Sequence, residues 1–216
     1  MSIAKEGFPF IFVPFAAGLA LIIIPLAAGL GAAYPALYCL CLVLGIVAAV
    51  FALFCCFFFR DPEVQIAAGE NLILSPCNGT VLEIEEKDDE RVLRVFLSIF
   101  NVHLQRSPVA GTVKSVVHKD GKFLAAWNPQ AQALNEQNII AIESAAGPFV
   151  VRQIAGFLAR RCVSRVKAGD ALKAGEKIGL IKFSSQVDLH VPKKAEITVS
   201  PGDKVRAGVT PVGVIK

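Results

Sequence analysis

The chain has 216 residues, with 22 Lys and Arg, 18 Asp and Glu, and a formal net charge of +4. No residue from Gly7 to Phe59 is charged, and Leu, Ile, Ala, Val and Phe fill this run, which excludes a wholly soluble protein. The net positive charge therefore belongs to residues 60–216. There it is modest and spread along the sequence, so nucleic acid is not an expected partner.

The uncharged run is long enough for two membrane-spanning helices, because one crossing needs about 20 apolar residues. Gly29 and Pro35 weaken helix continuity near its middle and predict a break there. We therefore predict a transmembrane hairpin over residues 1–59, with spans near residues 10–28 and 36–58. A cleaved signal peptide is the alternative, but the apolar core of a signal peptide is far shorter than this run.

The flanking charges predict the orientation of the hairpin. An even number of crossings puts Lys5 and Arg60 on the same side, and the positive-inside tendency assigns that side to the cytoplasm. Residues 60–216 are then expected to form a separate domain on the cytoplasmic face of the cell membrane. Most of the cysteines lie in the apolar run and none has the spacing of a metal site, so we predict reduced cysteines and no bound metal.

The sequence after Arg60 changes to short runs rich in β-branched and aromatic residues, separated by Gly, Pro and Asp. These runs predict strands at Val81–Ile84, Val92–Leu97, Gly111–Val117, Ile139–Ile142, Phe149–Ile154, Ile178–Ile181 and Val187–Val191. The polar stretch Asn128–Glu136 is the one helix candidate outside the membrane segment.

Two internal repeats organise the β-rich region. Ser75-Pro-Cys-Asn-Gly-Thr-Val81 recurs as Ser107-Pro-Val-Ala-Gly-Thr-Val113, and Val166-Lys-Ala-Gly-Asp-Ala-Leu-Lys-Ala-Gly175 recurs as Val199-Ser-Pro-Gly-Asp-Lys-Val-Arg-Ala-Gly208. Repeated turns between short strands predict a mainly β fold, a compact barrel or sandwich similar to the hammerhead strands of lipoyl and biotinyl carrier domains. The chain has no Met-Lys pair to carry such a group, so a carrier function is not expected.

The three histidines are candidates for proton transfer near neutral pH. His118 lies beside a Lys-Asp-Gly sequence and fits a solvated turn. His103 follows the apolar strand Val95–Phe100 and precedes polar residues, so it is either a core histidine bonded to a backbone carbonyl or a functional group. Ser184 and Ser185 lie in an apparent strand, and no Gly-x-Ser-x-Gly motif indicates a serine hydrolase.

Seven stretches of the chain form a further pattern. They are, in order, Glu6–Ile11, Phe58–Glu63, Ser75–Gly79, Phe96–Pro108, Asn135–Asn138, Val151–Gly156 and Gly179–Pro192. In this order the stretches resemble those of the phosphatidylserine decarboxylases, specifically their short, archaeal-type bacterial branch. The resemblance covers almost the full length of the chain, and Gly179–Pro192 is similar to the processing site of that family.

The resemblance implies that the chain makes its own cofactor. Family members break the chain before one serine, here Ser185, so cleavage of its bond to Ser184 would give a β chain of residues 1–184 and an α chain of residues 185–216. Ser185 would become a pyruvoyl group that forms a Schiff base with the substrate amine and accepts the electrons freed when carbon dioxide leaves. The implied activity is decarboxylation of phosphatidylserine in the membrane to phosphatidylethanolamine, without an external cofactor.

The resemblance also suggests roles for the surrounding residues. His103 aligns with a family histidine and is the expected group for proton transfer or for binding the substrate carboxylate. Arg106 stands where longer members carry a second histidine, and its guanidinium suits a carboxylate or a phosphate. Asp188 either orients a partner or caps a strand end. Asn78 replaces a common Asp, and its amide cannot act as the base that deprotonates Ser185.

Two alternative functions stay open at this stage. One is decarboxylation of a related serine-headgroup lipid, because nothing in the sequence reads the lipid tails. The other is an unprocessed, non-catalytic family member that serves as a membrane-tethered module, which Asn78 and Ser184 favour because the family usually carries Asp and Gly there. Edge strands of such a domain can pair across subunits, so a homo-oligomer also stays open.

Overall fold

A computed structural model of the chain describes residues 2–124, 130–156, 161–183 and 185–216. The chain divides into two compact units, Met1–Pro62 and Glu63–Lys216. The first unit is mainly helical and the second consists mainly of strands.

Two long apolar helices dominate the first unit. Helix α1 (Phe8–Ala27) is followed by one helical turn, α2 (Leu30–Ala33), and by helix α3 (Pro35–Phe58). The two long helices have the length and hydropathy that a membrane crossing requires. Gly29 has a φ of +66°, which ends α1 in a left-handed conformation, and Pro35 begins α3 at a position where its missing N–H is not needed.

The two ends of this first unit are joined by a pair of short strands. Strand β1 (Ser2–Ile3) pairs antiparallel with strand β2 (Arg60–Asp61), which follows α3. The two long helices approach each other closely at Gly18 and Gly45, since a Cβ built on Gly18 would lie 2.8 Å from the carbonyl oxygen of Gly45. Small residues at such a contact let two helix backbones pack closely, which is common in membrane-spanning pairs.

The second unit is built from short antiparallel strands. In chain order they are β3 (Leu72–Leu74), β4 (Gly79–Glu86), β5 (Glu90–Leu97), β6 (Leu104–Arg106), β7 (Gly111–Lys119), β8 (Gln137–Ser144), β9 (Gly147–Ala155), β10 (Cys162–Ser164), β11 (Ala171–Leu172), β12 (Lys177–Ile181), β13 (Ser185–Pro192), β14 (Ala195–Ile197), β15 (Lys204–Val205) and β16 (Pro211–Ile215). Within the described residues, eight of them form a sheet that curls into a half-barrel, in the order β11-β7-β8-β9-β13-β5-β4-β15. Two smaller sheets complete the unit, in the orders β10-β12-β6 and β14-β16-β3.

The sequence repeats form two equivalent halves of this unit. In each half, the last glycine of the longer repeat donates its amide to the serine that opens the shorter one, Gly175 to Ser107 at 2.8 Å and Gly208 to Ser75 at 2.9 Å. Correspondingly, β11 pairs with β7 in one half and β15 pairs with β4 in the other. The predicted mainly β fold with hammerhead-like repeats is therefore confirmed.

One face of the eight-stranded sheet forms the hydrophobic core, and the other carries charged residues. Strand β13 shows the alternation, because Val187 and Leu189 are fully buried in the core while Asp188 points to the opposite face. On that face Asp188 lies in register with Arg94 of β5 and Arg152 of β9. Successive residues of β13 therefore belong to two different environments.

The seven strands predicted from the short β-rich runs each lie within an observed strand, but the strand expected to continue to Phe100 ends at Leu97, and the apparent strand through the two serines is interrupted between Ile181 and Ser185. The predicted helix is shorter than expected. Helix α4 covers Ala131–Leu134, and residues 128 and 129 lie outside the described residues. The helix does not extend to Glu136, because the Asn135 side-chain amide donates to the backbone carbonyl of Ala155, at 2.6 Å. This bond fixes Asn135 beside β9, and β8 begins two residues later.

We predict that Gly45→Ala destabilises the hairpin. The added Cβ would lie 2.6 Å from the Ile22 side chain and 2.9 Å from the Gly18 carbonyl oxygen, so the helices must move apart, at about 1–3 kcal/mol. The measurement is the thermal unfolding midpoint of the full chain in detergent, with Gly31→Ala as the matched control, because its Cβ would meet nothing closer than 3.7 Å. Equal midpoints for the two variants would contradict this packing.

Candidate active site

Ser185 occupies the first position of β13 and is held from both sides. It pairs with Leu97 of β5 and with Ala155 of β9, and both of these residues belong to the core. The Ser185 side chain therefore faces the core, and the residue is 0% exposed. Among the described residues, the Ser185 Oγ has no hydrogen-bond partner. A buried hydroxyl left in this state is destabilising by about 1–3 kcal/mol, which suggests a chemical role for it.

The connection from β12 into β13 contains a strained residue. Phe183 has a φ of +59°, a left-handed conformation that its Cβ disfavours by about 1 kcal/mol. Ser184 lies outside the described residues. Phe183 directly precedes Ser184 and Ser185 in the sequence, so a strained residue stands just before this pair of serines.

His103 is buried immediately before β6, with 2% of its surface exposed. Its Nδ1 lies 3.0 Å from the carbonyl oxygen of Asn101, which can only accept a hydrogen bond. Nδ1 therefore carries the hydrogen, and Nε2 is the nitrogen of the neutral ring that can accept a proton. The backbone carbonyl of His103 accepts the amide of Ile181 at 3.2 Å, so the histidine is fastened to the segment that leads to Ser185.

Three buried amide side chains continue from the backbone of His103. Gln105 Nε2 donates to the His103 carbonyl at 2.8 Å, and Gln153 Nε2 donates to Gln105 Oε1 at 2.7 Å. Asn138 Nδ2 in turn donates to Gln153 Oε1 at 3.1 Å. At the outer end, His118 Nδ1 lies 2.7 Å from Asn138 Oδ1, and this hydrogen bond raises the pKa of His118. His118 is therefore part of a hydrogen-bonded chain that reaches the interior.

Arg106 and Asn78 contact the hammerhead turns. Arg106 is buried, and its Nη1 donates to the backbone carbonyl of Gly175 at 2.8 Å. The Asn78 Oδ1 accepts the backbone amide of Ala207 at 2.9 Å. Both side chains thus bind backbone groups at the ends of the longer repeats.

Asp188 lies on the charged face of the sheet, opposite to the side chain of Ser185. Its Oδ1 accepts a hydrogen bond from Gln186 Nε2 at 2.6 Å, and its Oδ2 lies 3.9 Å from Arg152. Burial disfavours the charged form and raises the pKa of Asp188. The guanidinium of Arg94, its other neighbour in register, is engaged by two glutamates of β4, Glu83 and Glu85.

The predicted site residues thus fall into three places. His103 binds Ile181, four residues before the core-facing Ser185, the side chains of Arg106 and Asn78 bind the hammerhead turns, and Asp188 lies on the opposite face of the sheet. Sequence reasoning missed the buried amides. A signal was present in β9, where Gln153 interrupts an apolar alternation at a core-facing position.

Comparison with known proteins shows which sequences this chain is similar to. The sequence model of a family described as phosphatidylserine decarboxylase matches residues 51–213. The phosphatidylserine decarboxylase proenzyme of Carboxydothermus hydrogenoformans is 42% identical over 181 residues, which are 80% of this chain and 85% of that protein. The proenzyme of the same name from Geotalea uraniireducens is 38% identical over 220 residues, covering 99% of this chain and 96% of that protein.

We predict that the stability of the Asp188→Asn variant, relative to that of the wild type, increases as the pH rises. Because the pKa of Asp188 is raised in the folded state, the folded protein keeps a proton that the unfolded chain loses near pH 3.9. The free energy of unfolding of the wild type therefore falls as the pH rises from there through the folded-state pKa. The neutral Asn removes this dependence. The measurement is the difference in unfolding free energy between variant and wild type from pH 4 to 8.

The control for this prediction is Asp88→Asn, the same substitution at an exposed turn. Its difference from the wild type should stay flat over this pH range. A flat difference for Asp188→Asn as well would show that ionised Asp188 is not destabilising in the fold.

Proposed function

The chain belongs to the phosphatidylserine decarboxylase family, and from this membership we propose that it is a pyruvoyl-dependent decarboxylase that converts phosphatidylserine to phosphatidylethanolamine and carbon dioxide. The observation that carries the proposal is the state of Ser185. Its hydroxyl is buried at the start of a strand, without a described partner, and directly follows a strained connection. This is the position that self-processing requires for the attacking group.

We propose that Ser185 generates the cofactor by breaking its own peptide bond. The Oγ attacks the carbonyl carbon of Ser184, forms an ester and releases the amide nitrogen. Loss of the Ser185 α-proton then expels the Ser184 carboxylate, which leaves a dehydroalanine. Its imine tautomer takes up water and releases ammonia, so a pyruvoyl group remains at the start of the α chain. A planar amide resists the first step, and strain at Phe183 favours it.

His103 is the proposed base for this first step. Its Nδ1 hydrogen is engaged by the Asn101 carbonyl, which leaves Nε2 as the proton acceptor of the ring. Asn78 has no proton-accepting carboxylate, and the carboxylate of Asp188 is on the opposite face of β13. Of the residues that the sequence nominated, His103 is therefore the one whose chemistry and placement both suit the deprotonation of Ser185.

The same location fits the mature cofactor. A pyruvoyl group at residue 185 supplies a ketone that binds the substrate amine and accepts the electron pair left when carbon dioxide departs. The core residues on either side, Leu97 and Ala155, exclude water from this position. His103 then holds the proton that returns to the substrate. Arg106 is assigned a supporting role, because its Nη1 already binds the Gly175 carbonyl.

The two chains produced by cleavage are expected to stay together. The α chain, residues 185–216, would contribute β13, which pairs with β5 on one side and with β9 on the other. Its strands β15 and β16 also pair with β4 and β3 of the β chain. Cleavage before Ser185 would therefore leave the hydrogen bonds of all three sheets intact.

The apolar hairpin supports a lipid substrate. A lipid headgroup lies at the bilayer surface, and a tethered catalytic domain meets it at high effective concentration. We propose that helices α1 and α3 span the cell membrane and that residues 60–216 lie on its cytoplasmic side, as the positive-inside tendency of Lys5 and Arg60 indicates. A free amino acid as substrate would not require this anchor.

One observation favours the alternative of an unprocessed, membrane-tethered module. Asn78 stands where the family commonly carries a carboxylate, and here its side chain binds the Ala207 amide. An amide at this position can satisfy the turn without any role in proton transfer. The two proposals differ in one property that is directly measurable, the length of the mature chain.

We predict that the purified full chain consists of two fragments, with a blocked residue at the start of the smaller one. Ser185→Ala should abolish both cleavage and carbon dioxide release from phosphatidylserine, because no hydroxyl remains to attack Ser184. Intact-mass spectrometry measures cleavage, and Ser115→Ala, a substitution in β7, is the matched control. A wild-type chain that remains uncleaved would instead support the tethered module.

We further predict that His103→Ala slows self-cleavage at least 100-fold, whereas Asp188→Asn cleaves within about threefold of the wild type. General base catalysis typically contributes about 10²–10⁴-fold, and the carboxylate of Asp188 faces away from Ser185. The rate of conversion of freshly synthesised precursor to fragments measures both effects. Slow cleavage in Asp188→Asn with normal cleavage in His103→Ala would reverse the assignment of the base.

A further inference from the structure

The chain of buried amides has a single direction. Asn138 donates to Gln153, Gln153 donates to Gln105, and Gln105 donates to the carbonyl of His103. Gln105 and Gln153 are 0% exposed and Asn138 is 3% exposed, so water cannot replace these bonds. In a low-dielectric interior, aligned hydrogen bonds polarise and strengthen one another. The terminal hydrogen bond to His103 is therefore supported by the two behind it.

The chain of amides ends at the carbonyl of His103, which also accepts a hydrogen bond from the strand that leads to Ser185. The His103 carbonyl accepts two donors, Gln105 Nε2 at 2.8 Å and the Ile181 amide at 3.2 Å. Ile181 is the last residue of β12 and leads into the strained connection before Ser185. The position of His103 relative to this connection thus depends on groups that bind one carbonyl oxygen.

The surrounding fold makes room for these amides. A Cβ built on Gly179 would lie 2.8 Å from Gln153 Nε2, so this position in β12 leaves space for the Gln153 side chain. Gln153 pairs with Asn138 on β8 and with Val187 on β13, two residues from Ser185 on the same face. The amides therefore lie on the core side of the sheet, in the row adjacent to Ser185.

The outer end of the chain is anchored at the surface. His118 Nδ1 lies 2.7 Å from Asn138 Oδ1, and its Nε2 lies 3.2 Å from the carboxylate of Asp120. Because the amide oxygen of Asn138 accepts from His118, its nitrogen is directed to Gln153. This contact sets the direction of all the bonds that follow.

We propose that Gln105 and Gln153 are positioning residues, which hold the backbone of His103 so that its ring can act on Ser185. Apolar residues of the same size would fill the space without a buried polar group, but they would leave the His103 carbonyl with one donor fewer. The inference rests on the proposed function, because it concerns the base for self-cleavage. It assigns to the amides an effect on the rate of cleavage that is separate from packing.

The test is Gln105→Glu, followed as the ratio of its self-cleavage rate to that of the wild-type full chain from pH 5 to pH 10. The ionised carboxylate has no donor for the His103 carbonyl, whereas the protonated form donates its O–H to the carbonyl and still accepts from Gln153. Burial raises the pKa of such a carboxyl, so the switch between the two forms falls within this range. We expect a ratio near one at low pH that falls at least tenfold as the carboxyl ionises.

Two controls separate positioning from packing and from charge. Gln105→Met has a similar volume and no hydrogen-bond donor, so its ratio should be low at every pH. Gln65→Glu makes the same chemical change at an exposed residue, and its ratio should stay near one throughout.

The outcomes distinguish this inference from the function on which it rests. If the wild-type chain does not cleave itself, the proposed function is wrong and the positioning role falls with it. If the wild type cleaves but Gln105→Glu and Gln105→Met match its rate at every pH, only the positioning role is wrong. A Gln105→Glu ratio that stays low at acidic pH, in a chain that unfolds cooperatively, would also overturn it, since the neutral carboxyl restores the donor.

Discussion

The antiparallel pairing of β13 on both of its sides is the constraint on which the rest of the structure depends. Every residue of this strand is in register with β5, and Ser185–His190 are also in register with β9. The first residue of the strand is thus fixed in position although the chain before it is strained at Phe183. A break before Ser185 would leave both ladders in place, so the fold is compatible with cleavage at the start of a strand that is paired on both sides.

The two-fold repeat of the β unit accounts for its backbone scaffold, and the side chains that differ between the two halves are the ones suited to proton transfer. The amide of Ile181 donates to the carbonyl of His103, and in the other half the amide of Ile215 donates to the carbonyl of Asn71. The two halves therefore use the same backbone bond, but only one places an imidazole beside it. Hydrogen bonds of the repeat require turns and carbonyls, whereas proton transfer requires one particular side chain.

Much of this arrangement could be predicted from the sequence. Runs rich in β-branched and aromatic residues predict the longer strands, and the repeated turns predict the hammerhead halves. Strands of two residues, such as Ala171–Leu172, carry too few positions to show a period and exist because β7 offers a partner. The link between Gln105 and Gln153 joins residues far apart in sequence, so it depends on a register that no local pattern contains. The separation of Asp188 from Ser185, by contrast, follows from strand alternation alone, since three residues reverse the face.

The replacement of a carboxylate by Asn78 has a consequence for the charge of the site. An amide can accept the Ala207 hydrogen bond as a carboxylate would, so the turn keeps its geometry without a negative charge at this partly buried position. Asn78 binds the Ala207 amide and the His103 ring binds the Asn101 carbonyl, so the assignment of His103 as the base does not depend on a carboxylate at position 78. Loss of the family carboxylate is therefore compatible with a working base, provided that the ring is held in place by neutral groups. The buried amides of Gln105 and Gln153, which support the His103 carbonyl, are neutral groups of this kind.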